Sequence, residues 1–463
     1  MRWIALLSLA LYPLASWSAD VPARVGRIAF TEGSVAFYQD PDTGWERAYV
    51  NLPVTSENSV WTDPASRAEL RVSGIAVRLD EATQLDVGLL DDDDFRTFVA
   101  RGSVAVRVRH FYAGDRIAFA TPHARFRVFG TGRFRIDVDT EAEETLLTVF
   151  AGSVSMRSAA GDTRVGAGQA IRIYGGGETY FVRERAQSTA FDRWTLARDE
   201  RWIERRATRY VSTYMTGYEE LDVHGTWVEE PVYGALWVPT RVQRGWVPYR
   251  YGRWAYVRPW GWTWVDDQPW GYAPFHYGRW VYVRERWCWY PGRRTERPAW
   301  APALVAWVGG SNWSVSVGAG DRPMVGWYPL APNERYQPSF QASPTYVNLV
   351  NNIVVNNVTI NNYGVAPQEL NRTRAITVVH REQLIERRPV QQALVAVAPE
   401  TARAAPAAHA QSVLPTPMEI QRMRQVRAQS APASVQTATS MPPASAPQQA
   451  PGQREANPLR RER

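Results

Sequence analysis

The sequence predicts a mainly β protein made of a β-sandwich or short β-solenoid, one linking helix, a domain of Trp-rich β-hairpin repeats and a disordered C-terminal tail. Three observations carry this prediction. Short runs of alternating apolar and polar residues fill the N-terminal part, an aromatic repeat fills the middle, and Ala, Pro, Gln and Ser dominate the end. Alternation with period two indicates strands, and a segment with few apolar side chains cannot offset the entropy cost of folding.

Composition narrows the class of protein. The 463 residues are enough for two or three domains. All basic charge behind the net charge of +7 is arginine, which excludes a Schiff-base lysine and a phosphate-loop lysine. The single cysteine, Cys288, excludes an intramolecular disulfide, a CxxC redox pair and a thiolate zinc site. The core must therefore be held by packing.

Residues 1–19 have the pattern of a cleaved secretory signal peptide. Arg2 precedes an apolar run over residues 4–14, and small residues precede Asp20. A membrane anchor is the alternative, but the run is shorter than the about 18 apolar residues that span a bilayer, and no later segment qualifies. An arginine-only composition rich in Ala and Pro is typical of a GC-rich bacterial genome. The sequence therefore predicts a periplasmic or secreted protein.

Residues 25–187 are predicted to form one all-β domain. Short alternating runs there are separated by Gly, Asp or Pro. A Gly-Ser-Val triplet opens strands at three places, beginning at Gly33, Gly102 and Gly152, and residues 130–132, Gly-Thr-Gly, indicate a hairpin turn. Repeated turn chemistry is typical of a sandwich or a short solenoid.

One helix, over residues 188–217, is predicted to link this domain to the next. Ser188 is a suitable N-cap, apolar and aromatic residues recur near helical spacing, and Gly217 ends the pattern. The Arg and Glu residues between them are expected to form a solvated face with i,i+4 pairs rather than a stripe that binds nucleic acid.

Residues 218–335 contain the strongest internal repeat. The run Gly245–Trp254 returns 26 residues later as Gly271–Trp280, and eleven of the 21 Trp residues lie between Trp227 and Trp289. Aromatic residues alternate along each predicted strand. Each repeat therefore predicts a β-hairpin with one aromatic face.

Two further segments complete the chain. Residues 340–394 include an Asn-, Val- and Ile-rich run at 346–363, which predicts an extended ribbon, alone or paired with a sheet edge. Residues 395–463 are rich in Ala, Pro, Gln, Ser and Arg and nearly free of aromatic residues, so this tail is predicted to be disordered.

Two stretches resemble known bacterial families. The run from Thr121 to Ile136, with Thr148 to Val154 after it, resembles the signature of FecR-like domains, and the likeness extends over about residues 25–175. The run from Arg209 to Asp222, together with the repeats after it, is similar to a Trp-rich family of unknown function that often accompanies FecR-like domains in exported proteins. FecR-type proteins proper are inner-membrane signal transducers with a cytosolic anti-sigma segment, a membrane helix and a periplasmic sensor. Because this sequence lacks the first two, the resemblance implies fold and envelope location more than an anti-sigma role.

The aromatic positions of the repeats and two arginines beside them are the candidate ligand-binding residues. One interpretation places these rings in the core, with the arginines stacked on them, and the other makes them an exposed face that stacks on envelope glycans. The candidate rings are Trp246, Trp254, Tyr256, Trp260, Trp262, Trp264, Trp270 and Trp280, and the candidate stacking cations are Arg253 and Arg279.

No pattern of catalytic or metal-ligating residues is apparent. The run Asp91–Asp94 lacks the spacing of an EF-hand and is expected to be a solvated loop, the six histidines form no HExxH motif, and no GxSxG occurs. The pairs Asp266-Asp267 and Glu229-Glu230 would point to opposite faces of a strand, so neither makes a glycosidase dyad. We therefore expect no catalytic residue, no metal and no cofactor.

These observations predict a non-enzymatic, exported cell-envelope protein that acts as a binding or scaffolding module for glycan, peptidoglycan or protein. The alternative is a soluble periplasmic regulator, related to FecR-type transducers, that binds a membrane partner through a sheet edge. An envelope hydrolase is a second alternative. Export argues against nucleic acid as a partner.

Overall fold

A computed structural model describes residues 20–200, 206–310, 313, 323–352 and 366–430. The predicted signal peptide lies outside the described residues, and so does most of the Asn-rich run. The described part is mainly β, with several open sheets and a few short helices, as the sequence predicts.

The first domain is a run of strands that alternate between two layers. In chain order they are β1 (Gly26–Glu32), β2 (Val35–Tyr38), β3 (Trp45–Arg47), β4 (Pro53–Val54), β5 (Asn58–Thr62), β6 (Arg67–Val72), β7 (Ile75–Leu79), β8 (Thr83–Leu90), β9 (Asp94–Val108), β10 (Arg116–Ala120), β11 (Ala124–Val128), β12 (Gly132–Asp139), β13 (Glu144–Ala151), β14 (Ser153–Ser158), β15 (Gly161–Gly166), β16 (Gln169–Tyr174) and β17 (Tyr180–Arg185).

Two sheets share the long strand β9. The first sheet has the order β4-β1-β6-β7-β9-β12-β13-β16-β17. The second has the order β3-β2-β5-β8-β9-β10-β11-β14-β15, in which β9 and β10 run parallel. The apolar side chains between the sheets, such as Phe95, Phe119 and Phe134, are fully buried or nearly so. The predicted all-β domain, a sandwich or short solenoid, is confirmed as a mainly β domain of open sheets.

The three Gly-Ser-Val triplets mark the points where the chain passes from one sheet to the other. Gly33 lies between β1 and β2, Gly102 lies within β9, and Gly152 lies between β13 and β14. Their φ angles are 71°, 81° and 76°, a region that glycine adopts most readily. A Cβ atom at Gly102 would also clash with the Oγ1 atom of Thr83. The hairpin predicted at residues 130–132 is wrong, because β11 pairs with β10 and β14 while β12 lies in the other sheet.

The Trp-rich domain is built from three small sheets. Its strands are β18 (Gly225–Glu230), β19 (Gly234–Pro239), β20 (Gly252–Val257), β21 (Gly261–Asp266), β22 (Arg279–Val283), β23 (Arg286–Tyr290), β24 (Val305–Val308), β25 (Met324–Pro329), β26 (Thr377–His380) and β27 (Ala407–Ala408). They pair as β18-β19-β23-β22, β20-β21 and β27-β24-β25-β26. The predicted repeat hairpins are therefore present, with Trp254 opposite Trp264 and Trp280 opposite Trp289.

Short helices connect and cover these sheets. The α-helices are Ala190–Glu200, Leu221–His224, Ala273–His276, Pro344–Val350, Pro367–Ala375, Glu382–Ile385, Pro399–Ala404, Ala410–Val413 and Pro417–Ser430, and the 3-10 turns are Arg206–Arg209, Tyr218–Glu220 and Val390–Gln392. In the described residues the linking helix is thus shorter than the predicted range 188–217.

Two C-terminal segments are more regular in the described residues than the sequence predicts. The segment 340–394, predicted to be extended, contains helices and β26, which pairs with β25. Residues 395–430, predicted to be disordered, lie against the Trp-rich domain, where β27 pairs with β24 and Val413 and Leu414 are buried. The composition of residues 395–430 indicates disorder because apolar side chains are few. These few side chains still order the segment, because they are buried against the aromatic Trp-rich domain.

Candidate functional site

The rings predicted as a binding face form the core of the Trp-rich domain. The exposed fraction is 6% for Trp246, 5% for Trp262 and 1% or less for the other candidate tryptophans, while Tyr256 is half-buried. Trp254 and Trp264 pack edge to face, with ring centroids 5.4 Å apart. Because a ring must expose a face to stack on a sugar, the glycan-stacking interpretation of these tryptophans is wrong.

The indole N–H groups explain how several of these rings are buried at low cost. The Nε1 atom of Trp264 donates to the Asp266 carboxylate at 3.0 Å, and that of Trp280 donates to the Pro274 carbonyl at 2.9 Å. The Nε1 atom of Trp262 donates to the carbonyl of Pro415 at 2.9 Å. The last bond comes from the C-terminal segment, which therefore covers part of the aromatic face.

The two candidate cations have different surroundings. The Arg253 guanidinium lies 4.5 Å from the ring centroid of Tyr49 in the first domain, and its Nη2 atom is 3.3 Å from the Asp267 carboxylate. The Arg279 side chain is buried and donates to the Asn351 side chain at 3.0 Å. Burial lowers the pKa of Arg279 to about 10, although nearby Tyr and Glu side chains oppose this shift. Arg253 therefore stacks as predicted, but on a ring of the other domain.

His276 is a buried member of this aromatic core. Its ring stacks on that of Trp300 at a centroid distance of 4.8 Å, and its Nδ1 atom is 2.8 Å from the carbonyl oxygen of Ala301. Burial lowers the pKa of His276 to about 3, against the opposing effect of the Ala301 and Pro302 carbonyls. The imidazole therefore stays neutral in the folded protein at neutral and mildly acidic pH.

The burial of His276 makes stability depend on pH. An unfolded histidine takes up a proton near pH 6.5, whereas His276 in the folded state does so only near pH 3. The free energy of unfolding should therefore fall between these values by up to about 1.4 kcal/mol per pH unit. Urea unfolding at pH 7, 5.5 and 4.5 should give a shallower decline for His276→Gln than for the exposed control His409→Gln. Equal declines in both variants would contradict this prediction.

A buried arginine joins the two domains. Arg27 of β1 is fully buried and pairs with Glu219 at 2.8 Å and with Glu220 at 3.0 Å. Burial alone would lower the pKa of Arg27, but the two carboxylates outweigh it and raise that pKa above its usual value. Neighbouring bonds reinforce the contact, since the Asn51 amide donates to the Gln268 carbonyl at 2.6 Å. The sandwich and the Trp-rich domain thus share a polar, buried interface.

A second buried cluster attaches the linking helix to the first sheet. Glu69 is fully buried and accepts hydrogen bonds from Arg71, Arg78 at 2.9 Å and Arg198 at 2.6 Å. Arg78 also pairs with Asp199 at 2.8 Å. Burial would raise the pKa of Glu69, but the three arginines outweigh it and hold that pKa well below its usual range. The carboxylate is therefore charged whenever the domain is folded near neutral pH.

The acidic run Asp91–Asp94 is an anchor between domains rather than a solvated loop. Asp92 accepts from the backbone N–H groups of Ala23 at 2.7 Å and Arg24 at 3.0 Å, and Asp93 pairs with Arg297 at 2.8 Å. Its carboxylates are thus engaged by backbone and arginine. Among the described residues, no three His, Cys, Asp or Glu side chains are grouped as a metal site requires.

The outermost strand of the first sheet, β17, is exposed except at Phe181, which is half-buried. No side chain of β17 is buried, and the exposed fraction is 53% for Tyr180 and 46% for Val182. The Ala186 N–H donates to the Gly168 carbonyl at 3.0 Å, in register with the β16–β17 pair. By the alternation of an antiparallel ladder, every second residue from Val182 points its backbone groups at β16. Phe181, Arg183 and Arg185 therefore direct their N–H and C=O groups to the free edge.

Sequence reasoning did not single out this strand. Tyr180 and Val182 alternate with other side chains like many runs in the domain, and the order of strands in a sheet cannot be read from one sequence. The available signal was the concentration of charge at Arg183-Glu184-Arg185, since charged residues are common on sheet edges.

Comparison with known families identifies two domains in the chain. Residues 58–155 match the family described as FecR protein, and residues 218–334 match a family of unknown function (DUF6600). The chain therefore contains a FecR domain followed by a domain of that unknown-function family, as the resemblance implies. No curated protein matches the chain.

Two solved crystal structures of a candidate anti-sigma factor from Parabacteroides distasonis are similar to part of the chain. Their sequence identities are 16% and 17%, and both have a TM-score of 0.27 over 30% of this chain. The matched region spans 64% and 63% of those chains, which is less than two thirds of their length.

Two further findings bear on the kind of protein. Within the described ranges, no helix combines the length and apolar character needed to cross a membrane.

Cys288 is buried, and burial raises the pKa of its thiol to about 11, which suits an inert core thiol rather than a nucleophile.

Proposed function

We propose that this chain is a non-enzymatic, exported cell-envelope protein that binds a protein partner, and that the partner adds a strand to the free edge of β17. Such a protein would be a binding module, as the sequence predicts, and would bind its partner through a sheet edge, as predicted for the FecR-type regulator. The exposed edge of β17 is the observation that carries it. Backbone pairing at such an edge supplies affinity, and side chains on alternate positions supply specificity.

The composition of β17 supports a peptide rather than a glycan as the ligand. Tyr180 and Val182 form an exposed apolar pair, and Tyr180 stacks on Tyr174 with ring centroids 4.7 Å apart. The second half of the strand is charged and would discourage uncontrolled edge-to-edge pairing. The tryptophans that a glycan would need are in the core. A protein strand whose first half is apolar and whose second half is charged fits this edge.

The FecR domain gives the proposal its biological setting. Regulators of the FecR type sense signals in the envelope, so a partner with an exposed strand in a membrane protein's envelope domain fits the proposed edge. The predicted signal peptide at residues 1–19 motivates the envelope location. Fractionation of host cells, with determination of the mature N-terminus, tests this location. Recovery of the protein from the cytoplasm with residues 1–19 intact would contradict it.

A proline at one edge position tests the pairing itself. Arg183 points its N–H away from β16, so Arg183→Pro removes a hydrogen-bond donor from the free edge and leaves the β16–β17 ladder in place. Arg183→Ala is the matched control, because it loses the same side chain but keeps the N–H group.

Both variants are compared with the parent after cross-linking in host cells and quantification of the proteins that copurify. A partner protein should be recovered in similar amounts with the parent and with Arg183→Ala. We expect its recovery to fall at least about tenfold with Arg183→Pro, because that variant loses a backbone hydrogen bond to the partner strand. Circular dichroism checks that all three proteins are folded. Equal recovery with all three would overturn the edge-pairing proposal.

A further inference from the structure

The outer face of the second sheet carries six exposed arginines. On β11, Phe126 and Val128 point into the core and are buried, whereas Arg125 and Arg127 point outward and are exposed. We call the outward arginines of this sheet region the arginine face. It consists of Arg96, Arg116, Arg125, Arg127, Arg157 and Arg164.

Strand register places three of these arginines in one line. Ala118 of β10 lies opposite both Arg96 of β9 and Arg127 of β11. Ser155 of β14 lies opposite both Arg127 and Arg164 of β15. Adjacent strands are about 4.8 Å apart, so the three arginines recur about every 10 Å with a small residue between them. Guanidinium groups can therefore spread over the surface without a bulky neighbour.

Further arginines lie in the neighbouring rows of the sheet, and the row of Arg125 and Arg157 adds net positive charge. Arg125 lies directly opposite Arg157, a like-charge pair that disfavours the sheet. The side chains of Arg96, Arg116 and Arg157 are at least half exposed, at 57%, 50% and 75%. Three aspartates neutralise part of this charge: the buried Asp94 pairs with Arg96 and Arg116, Asp93 lies 3.8 Å from Arg116, and Asp162 pairs with Arg157.

An exposed aromatic ring lies on the same face. Phe129 follows β11 and continues its outward positions after Arg125 and Arg127, and 53% of its surface is exposed. The Arg127 guanidinium lies 5.5 Å from the centroid of this ring. A broad, basic surface with an apolar ring at its margin has the chemistry of a surface that rests on anionic lipid headgroups.

We infer that the arginine face docks the chain on an anionic lipid bilayer. The arginines contact the phosphates of the headgroups, and Phe129 enters the boundary between headgroups and acyl chains. An acidic polymer would match the charge but offers no apolar layer for Phe129, so the lipid surface is the better fit. This role is independent of the edge of β17, which lies in the other sheet.

Vesicle flotation tests the inference on the full chain. Vesicles of phosphatidylglycerol and phosphatidylcholine in equal parts are compared with vesicles of phosphatidylcholine alone. Each arginine near an anionic surface strengthens binding by about fivefold, so Arg96→Gln/Arg127→Gln/Arg164→Gln should weaken binding by about 100-fold. The control Arg193→Gln/Arg241→Gln/Arg244→Gln removes the same charge from exposed arginines elsewhere and should leave most of the binding intact. Phe129→Ala should weaken binding less than the triple variant and leave the salt dependence unchanged.

Three results would overturn the inference. One is equal weakening of vesicle binding by the two triple variants, which would mean that binding depends on net charge and not on the arginine face. Another is equal binding of the parent to both kinds of vesicle. The third is binding to soluble alginate, an acidic polysaccharide, without binding to the anionic vesicles, which would assign the face to a polymer.

Discussion

The variant Arg27→Met should lower the free energy of unfolding by about 3–5 kcal/mol, because it removes the cation that is hydrogen-bonded to the buried Glu219. The side chains of Arg27 and Glu219 are 0% and 3% exposed, so water does not replace the lost guanidinium. Denaturant titrations followed by circular dichroism measure the change.

The matched control for this variant is Arg157→Met. Arg157 pairs with Asp162 at 2.8 Å, but the two side chains are 75% and 55% exposed. Water and salt screen an exposed ion pair, so this variant should change the free energy of unfolding little. A double variant, Arg27→Met/Glu219→Met, should regain most of the loss because it removes both charges. A cost for Arg27→Met no larger than that for Arg157→Met would contradict the role given to this interface.

Glu69→Gln should also lower the free energy of unfolding by about 3–5 kcal/mol. Here the variant removes a buried anion from its arginines, whereas Arg27→Met removes a buried cation from its carboxylates. Glu69→Gln removes the buried carboxylate that accepts hydrogen bonds from Arg71 and Arg198, while Arg78 keeps Asp199. Two arginines thereby lose a buried counter-charge at the same time. The linking helix Ala190–Glu200 should also detach more easily, which hydrogen exchange of its amides would report.

The free energy of unfolding of Glu69→Gln should also depend on pH differently from that of the parent. The pKa of Glu69 is well below its usual range in the folded protein, so its contribution is complete above the unfolded value near 4.3 and is lost as pH falls below it. Glu69→Gln should therefore reduce the loss of stability on acidification below about pH 4.5. Asp162→Asn, at an exposed pair, serves as the control. An unchanged acid profile in Glu69→Gln would contradict this assignment.

Local patterns predicted the strands well because their physical causes are local. The alternation of Arg125, Phe126 and Arg127 translates directly into exposed, buried and exposed positions. The three Gly-Ser-Val triplets were recognised as turns, and their positive φ angles explain the glycine. The repeat hairpins followed from the spacing of Trp254 and Trp264, which face each other across β20 and β21.

The contacts that decide function depend on partners that are distant in sequence. Trp262 is predicted to lie on a binding face, but its indole N–H donates to the carbonyl of Pro415, which is 153 residues away. Arg27 gave no sign of a structural role, because its carboxylates are supplied nearly 200 residues later. The exposed edge of β17 and the arginine face likewise emerge only once strand order and register are known.

Differential scanning calorimetry of the full chain tests most directly whether the FecR domain and the Trp-rich domain form one body. The buried Arg27 interface predicts a single transition whose calorimetric and van't Hoff enthalpies agree, with a lower midpoint in Arg27→Met. Two separate transitions in the parent, of which Arg27→Met shifts only one, would contradict it.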